Sequence, residues 1–191
     1  MRALVVACSV VGAVLGGCAG HQVDLGRQAP ATLGGEPRGA ERALVTRVID
    51  GDTIEVTITA RSEGPGAGET LVGRSYDVRL IGVDTPETVR PGTPVECFGK
   101  EASAAAEALL EGKEVSLVTD VENVDGYDRL LRYVYLEAEM ANARLVVNGY
   151  ATVYTYPPNV RHSDLFVSLQ REARAEQRGL WSSSTCDGET G

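Results

Sequence analysis

Few structural interpretations fit the stretch Val78–Thr88, VRLIGVDTPET, because its residues change character within a few positions. From Val78 to Val83 the run is aliphatic and β-branched, which predicts a strand with both faces buried, interrupted by Arg79. A guanidinium in such a strand calls for an anion nearby. Pro86 has no N–H to give a sheet ladder, so the strand is expected to stop at the acidic pair Asp84 and Glu87. Thr85, just before the proline, is pushed toward an extended conformation that leaves its carbonyl available to a ligand. One strand end thus collects an arginine, two carboxylates and a carbonyl.

A second acidic feature lies upstream in Val48–Val56, VIDGDTIEV, where two apolar runs flank an Asp-Gly pair. That is a strong hairpin signal and puts Asp50 and Asp52 at a tight turn. If this hairpin pairs with the strand ending at Asp84, then Asp52 and Asp84 meet at one end of a sheet. Two carboxylates and a carbonyl oxygen suit a hard divalent cation such as Ca²⁺, which takes oxygen ligands and tolerates irregular geometry.

Three blocks, Ile49–Thr53 (IDGDT), Arg79–Thr88 (RLIGVDTPET) and Asp125–Arg129 (DGYDR), resemble in order the signature blocks of the staphylococcal (micrococcal) thermonuclease family, and the resemblance runs from about Leu44 to Trp181. It implies an α+β fold: a five-stranded OB-fold β-barrel with three α-helices, a scaffold whose faces bind oligonucleotides. It further implies a Ca²⁺-dependent phosphodiesterase, an endonuclease that hydrolyses DNA and RNA with little sequence preference and leaves 3′-phosphate ends. By this resemblance Asp52, Asp84 and the Thr85 carbonyl hold the metal, Arg79 and Arg129 clamp the phosphate, and Glu87 orients or deprotonates the attacking water. Tyr127, Tyr154 and Tyr156 resemble the tyrosines that line the family's nucleotide pocket; for Tyr154 and for Tyr156, which precedes Pro157-Pro158, packing in the core is the competing reading. Asp128 departs from the family pattern, standing where a glycine is usual, and its charge is placed to pair with Arg129 or to hinder substrate. Singly, each motif has a plainer explanation: a solvated turn, a salt-bridged strand arginine, a loop carboxylate. Their shared order favours the site.

Along the chain, Met1-Arg2 followed by an apolar run to Leu15 reads as an export signal, too short for a membrane-spanning helix. Leu15-Gly16-Gly17-Cys18 resembles a bacterial lipobox, making residues 1–17 a lipoprotein signal peptide and Cys18 the lipidated first residue; a plain secretory signal is the alternative. The expectation is an exported lipoprotein facing the periplasm or the cell exterior. Residues 18–42, rich in Gly, Ala and Pro, read as a flexible tether, 43–182 as the folded domain and 183–191 as a tail. In an oxidising compartment Cys97 and Cys186 are a disulfide candidate that would pin the tail near the loop after the Asp84 strand; two free thiols are the alternative. Strands are predicted at Ala43–Ile49, Asp52–Thr59, Gly73–Gly82, Glu114–Asp120 and Arg129–Glu137, and helices at Gly99–Leu110, Met140–Asn148 and Ser163–Arg178. The last has Ser163 as its cap, Asp164 in its first turn, Arg174 and Arg178 in its last, Gly179 as its stop and Trp181 packed beneath it. Residues 61–71, with their glycine run, read as an exposed hairpin tip.

Charge argues the other way. With 27 acidic and 18 basic residues the chain carries −9 at pH 7, and a polyanion avoids such a surface. A bound cation and two local guanidinium groups offset this only within the site. Weak binding that favours short, single-stranded or frayed DNA and RNA follows. His21 and His162 alone make no histidine-based metal site or base triad, and no nucleophile elbow, phosphate-binding glycine loop or zinc spacing is present. No protein partner is evident and a monomer is expected. The rival to an enzyme is a catalytically inactive, nuclease-like cell-surface module that binds polyanions or a protein; the presence of Arg79, Glu87 and Arg129 together argues against it.

Overall fold

The computed structural model describes residues 23–29, 39–88, 92 and 94–189. The stretch read as a signal peptide and Cys18 therefore lie outside the described residues. In chain order the elements are β1 (Glu41–Asp50), β2 (Thr53–Arg61), β3 (Ser75–Leu80), β4 (Val83–Asp84), α1 (Gly99–Leu110), β5 (Glu114–Val118), β6 (Leu130–Leu136), β7 (Glu139–Met140), α2 (Ala141–Val147), β8 (Thr152–Val153) and α3 (Ser163–Ala175).

Period-two alternation builds the barrel. In β1, Ala43, Val45 and Val48 turn inward, and in β2, Ile54, Val56 and Ile58 do the same. β1 pairs antiparallel with β2 and with β5, β2 with β3, and β5 with β6. A parallel pairing of β3 with β6, Val78 opposite Leu130 and Leu80 opposite Arg132, closes the circle. The result is a closed five-stranded barrel with three helices, an α+β OB-fold. Register shifts at three points of β1 supply the bending that closure requires. β4 and β8 form a separate two-stranded ribbon.

The strand expected to run from Gly73 through Gly82 is interrupted. β3 stops at Leu80, the chain turns at Ile81-Gly82, and Val83-Asp84 pair instead with Thr152-Val153. Gly82 takes a positive φ of 81°, and a Cβ there would collide with the Phe166 ring of α3. α3 also differs at both ends. His162 precedes it as the N-cap residue with no side-chain cap bond, so Ser163 is its first residue rather than its cap. The helix ends at Ala175, so Arg178 lies beyond it, donating to the Val147 carbonyl of α2 at 2.7 Å and pairing with Glu172 at 3.1 Å. Trp181 sits beside Ala173, with the Arg174 guanidinium 4.0 Å over its ring.

Part of the stretch read as tether is docked. The Asp24 N–H donates to the Tyr150 hydroxyl at 2.8 Å, Asn148 exchanges two hydrogen bonds with Arg27, and Ala29 is buried with its N–H donating to Glu139. Val23, Leu25 and Ala29 alternate, so an extended segment can turn one apolar edge onto the core. β1 likewise begins at Glu41, inside the assigned tether.

The expected exposed tip at 61–71 is only partly exposed. Its residues Gly66, Gly68 and Thr70 are buried and cover an ion pair, Glu41 with Arg132 at 2.8 Å, whose side chains are both 0% exposed. Thr70 donates its hydroxyl to the same carboxylate at 2.6 Å, and Arg132 also donates to the Asn123 carbonyl at 3.0 Å. A Cβ on Gly68 would strike both charged groups, which accounts for a glycine there. Cys97 and Cys186 are joined in a disulfide that closes 89 residues.

Two stability outcomes follow. Glu41→Ala strands a guanidinium in the core and should lower unfolding free energy by about 3–5 kcal/mol; denaturant titration measures it, and a loss below about 1 kcal/mol would contradict the buried pair. Cys97→Ser with Cys186→Ser should cost about 2–4 kcal/mol, read as a lower melting midpoint that reductant no longer shifts.

Candidate active site

Barrel closure sets the site. Arg79 lies opposite Leu131 in the parallel pair, and Arg129 immediately precedes β6, so the two arginines enter from adjacent strands. On the other side of β3, Thr53 is opposite Arg79, which brings the Asp50–Asp52 turn to the same end. That turn passes so close beneath Thr85 that a Cβ on Gly51 would lie 2.8 Å from the threonine side chain.

Asp52, only 5% exposed, accepts the Thr85 N–H at 2.9 Å and the Thr53 hydroxyl at 3.0 Å. Arg79 Nη1 donates to the carbonyls of Leu80 (2.8 Å) and Val83 (2.6 Å), which clamps the turn at Gly82. Its Nη2 stands between two carboxylates, 3.1 Å from Asp52 and 2.7 Å from Asp84. Asp52, Asp84, Thr85 and Arg79 therefore converge at one point. Glu87 lies three residues past Asp84, its carboxylate accepting the Thr88 N–H and its own N–H donating to Glu96.

Arg129 is held by Asp125, which accepts from Nε at 2.8 Å and Nη2 at 2.7 Å. The guanidinium thus pairs with Asp125; of the two roles expected for Asp128, pairing with Arg129 or hindering substrate, the pairing is taken by Asp125. Asp128 instead takes the left-handed backbone, φ 64°, the conformation a glycine at this place would adopt without strain. Burial alone would raise the Asp125 carboxyl, but the hydrogen bonds from Arg129 and from the Tyr127 and Arg129 N–H groups outweigh it and hold the carboxyl below its ordinary range.

Arg79, Arg129, Tyr127, Tyr154 and Tyr156 line a single cleft of about 330 Å³. Tyr154 and Tyr156 stack with centroids 6.5 Å apart, and they are 53% and 64% exposed, so neither is a core residue. Tyr127 is 83% exposed with the Arg129 guanidinium 5.4 Å from its ring centre.

A family described as "Staphylococcal nuclease homologue" matches residues 77–183. The chain belongs to the staphylococcal nuclease family. "Thermonuclease" of Staphylococcus intermedius is 43% identical over 141 residues, covering 74% of this chain and 76% of that one. "Thermonuclease" of Staphylococcus hyicus is 39% identical over 138 residues, covering 72% and 74%. "Endonuclease YncB" of Bacillus subtilis (strain 168) is 34% identical over 140 residues, covering 72% and 60%.

In this staphylococcal nuclease homologue the acidic corner is crowded. The Asp50 carboxyl is pushed up to about 6 by burial and by the neighbouring Asp52 charge. Asp84 is raised by burial and by Asp52, with Arg79 opposing and Glu96 and Glu87 adding. Among the described residues no three His, Cys, Asp or Glu side chains are disposed to hold a metal ion. The set assigned to Ca²⁺ from the sequence has only two carboxylates, completed by a main-chain carbonyl. The two carboxylates are hard oxygen donors that converge on one cationic nitrogen, and a divalent cation would relieve the crowding that raises Asp50 and Asp84; the residues present fit the ion.

Several supports escaped the sequence reading. The buried Asn159 side chain accepts the N–H groups of Val121 and Glu122 and so fixes one wall of the cleft. Asn142, fully buried, accepts the Val134 N–H and donates to the Ile81 carbonyl at the break after β3. Asp125, named from the sequence only as part of a block, completes the set. Neither asparagine belongs to a local motif.

The raised Asp50 carboxyl gives a pH signature. Charging it costs the folded state nothing below its ordinary value of 3.8, progressively more up to about 6, and the full amount above. Asp50→Asn keeps an oxygen to accept the Asp52 N–H, which Asp50 now accepts at 3.1 Å. In chelator it should raise stability at pH 7 by up to about 3 kcal/mol, a gain that fades toward pH 4. Thermal melts from pH 4 to pH 8 check this, and a gain that does not vary with pH would contradict it.

Proposed function

We propose that this chain is a Ca²⁺-dependent phosphodiesterase that cleaves DNA and RNA with little sequence preference and leaves 3′-phosphate ends. One observation carries the reading: Arg79, Arg129 and three exposed tyrosines line one cleft, and the Arg79 guanidinium is paired with both Asp52 and Asp84. The family relationship, with relatives called thermonuclease and endonuclease, supports it.

Phosphodiester hydrolysis needs a water in line with the leaving oxygen and countercharge for the equatorial oxygens of phosphorus. Arg79 and Arg129 supply that charge as planar forks that match two phosphate oxygens. Each is paired with carboxylate before substrate arrives, so a phosphate exchanges for Asp125 at Arg129 and for an Asp84 or Asp52 oxygen at Arg79. Asp52, Asp84 and the Thr85 carbonyl would hold Ca²⁺, which when bound supplies further positive charge beside the phosphate. Glu87 orients the attacking water or accepts its proton. Tyr154 and Tyr156 offer flat faces to bases, contributing on the order of 1–3 kcal/mol per base without selecting one, which suits low sequence preference.

The acidic chain, −9 in net charge, favours substrates that place few phosphates outside the cleft: short, single-stranded or frayed DNA and RNA. We further propose that the protein is exported and held at a membrane through lipid on Cys18. One observation favours the rival binding module: the Arg129 fork is already satisfied by Asp125.

Release of acid-soluble nucleotides tests the proposal. The purified soluble domain should cleave with Ca²⁺ and stop in chelator, and Arg79→Ala should slow it on the order of 10²–10³-fold. Cleavage unchanged in chelator would overturn the metal assignment, and binding without cleavage under any condition would favour the module.

A further inference from the structure

Glu87 leaves the Asp84 corner directly after Pro86, which has no N–H, so the Glu87 N–H is the first backbone donor past Thr85 that can tie this segment down. It is taken by a side chain nine residues on: the Glu87 N–H donates to Glu96 Oε2 at 3.0 Å. The tie is reciprocal, since the Glu96 N–H donates to the Glu87 carbonyl at 3.0 Å. These two bonds form a closed clasp at the base of the segment that carries Glu87.

The post on the far side of the clasp is fixed from three directions. The Glu96 carbonyl accepts the Gly99 N–H at 3.1 Å, at the start of α1. Cys97, its chain neighbour, is covalently joined to Cys186, which is buried. Phe98 stacks on Tyr150 with centroids 5.5 Å apart. Gly99 also lies against the segment itself: a Cβ there would stand 3.1 Å from the Glu87 carbonyl and 3.2 Å from that of Pro86. α1 thus presses on the same carbonyl that the Glu96 N–H binds.

We propose that Glu96 is a positioning residue for Glu87. Its carboxylate fixes the backbone of Glu87 relative to the Asp52–Asp84–Arg79 corner, and so sets where the Glu87 carboxylate meets the attacking water. The kinetic part of this inference rests on the nuclease reading; the clasp does not. A carboxylate that orients a water must lie within hydrogen-bond reach, and a displacement of about 1 Å can cost on the order of 100-fold in rate.

Two measurements test it. In the first, amide hydrogen exchange at Glu87 is followed in Glu96→Ala, Glu96→Asp and Glu96→Gln. Gln keeps an acceptor oxygen at the same reach and should retain protection; Ala removes the acceptor and Asp withdraws it by one methylene, and both should lose about tenfold or more. In the second, Glu96→Ala should lower kcat about tenfold with KM within about twofold, Glu96→Gln should restore most of it, and in a Glu87→Gln background Glu96→Ala should cost less than about twofold. Full Glu87 protection in Glu96→Ala would overturn the clasp. Equal damage from Gln and Ala, or the same kcat loss in the Glu87→Gln background, would overturn the positioning role. A wild-type chain that cleaves nothing defeats the nuclease reading instead, and the exchange measurement alone then upholds or overturns the clasp.

Discussion

The parallel ladder between β3 and β6 is the constraint from which the site descends. Parallel strands cannot be joined by a tight turn, and here the connection runs through β4, α1 and β5 before β6 returns to β3. Its register puts Arg79 beside Leu131, one residue past Leu130, and Arg129 just outside the ladder. A slip of one position would turn Arg79 inward and Leu80 outward, since successive side chains face opposite sides. Closing the barrel and assembling the site are therefore one event. The Leu80 N–H, which donates to the Asp52 carbonyl at 2.9 Å, adds the acidic turn to the same junction.

Three arginines in and beside those two strands show how one kind of ion pair serves different ends. Arg132 and Glu41 are sealed, neither reaching solvent, and the loop from 62 to 74 covers them; no ligand can compete for that guanidinium. Removing two charges from water is costly, so the pair fixes the fold more than it strengthens it. Arg79 and Arg129 have side chains 14% and 31% exposed, and in the proposed reaction a phosphate exchanges for their carboxylate partners. The unliganded pairing keeps both forks rigid and desolvated on one side, which lowers the ordering cost when an anion takes over. What separates the sealed arginine from the two at the cleft is access, and access is set by the 62–74 loop, which packs on Arg132 and not on Arg79 or Arg129.

The sequence made the barrel legible because its strands alternate and two of its helices, α1 and α2, are closed by Gly112 and Gly149, features that are local. It misjudged Gly82 because the reason for the break, the Phe166 ring, comes from a helix more than eighty residues away. It placed the cap of α3 at Ser163 by composition, while the helix start is set by the loop that Asn159 anchors. Nothing local reveals that Glu41 and Arg132 are each other's partner across 91 positions. The tether was read from its glycines and prolines, and the alternation of Val23, Leu25 and Ala29 within it carried too few residues to outweigh them. At the site, Asp52, Arg79, Asp84 and Glu87 announce themselves through a turn and a proline. Asn159 and Glu96 do not, because they act by binding backbone groups, and any polar residue at those places in the sequence would look the same.

The acidic surface and the proposed substrate are reconciled by distance. At physiological ionic strength fields fall off over about 8 Å, so carboxylates spread over the rest of the barrel are screened from a phosphate seated in the cleft. What that phosphate meets is the local sum of Arg79, Arg129 and their partners. Those partners are paired already, so an incoming anion displaces one negative group from each guanidinium instead of adding a charge to it. The net charge then acts on the parts of a long substrate that lie outside the cleft. Affinity for one nucleotide and repulsion of the strand beyond are thus compatible in one acidic protein.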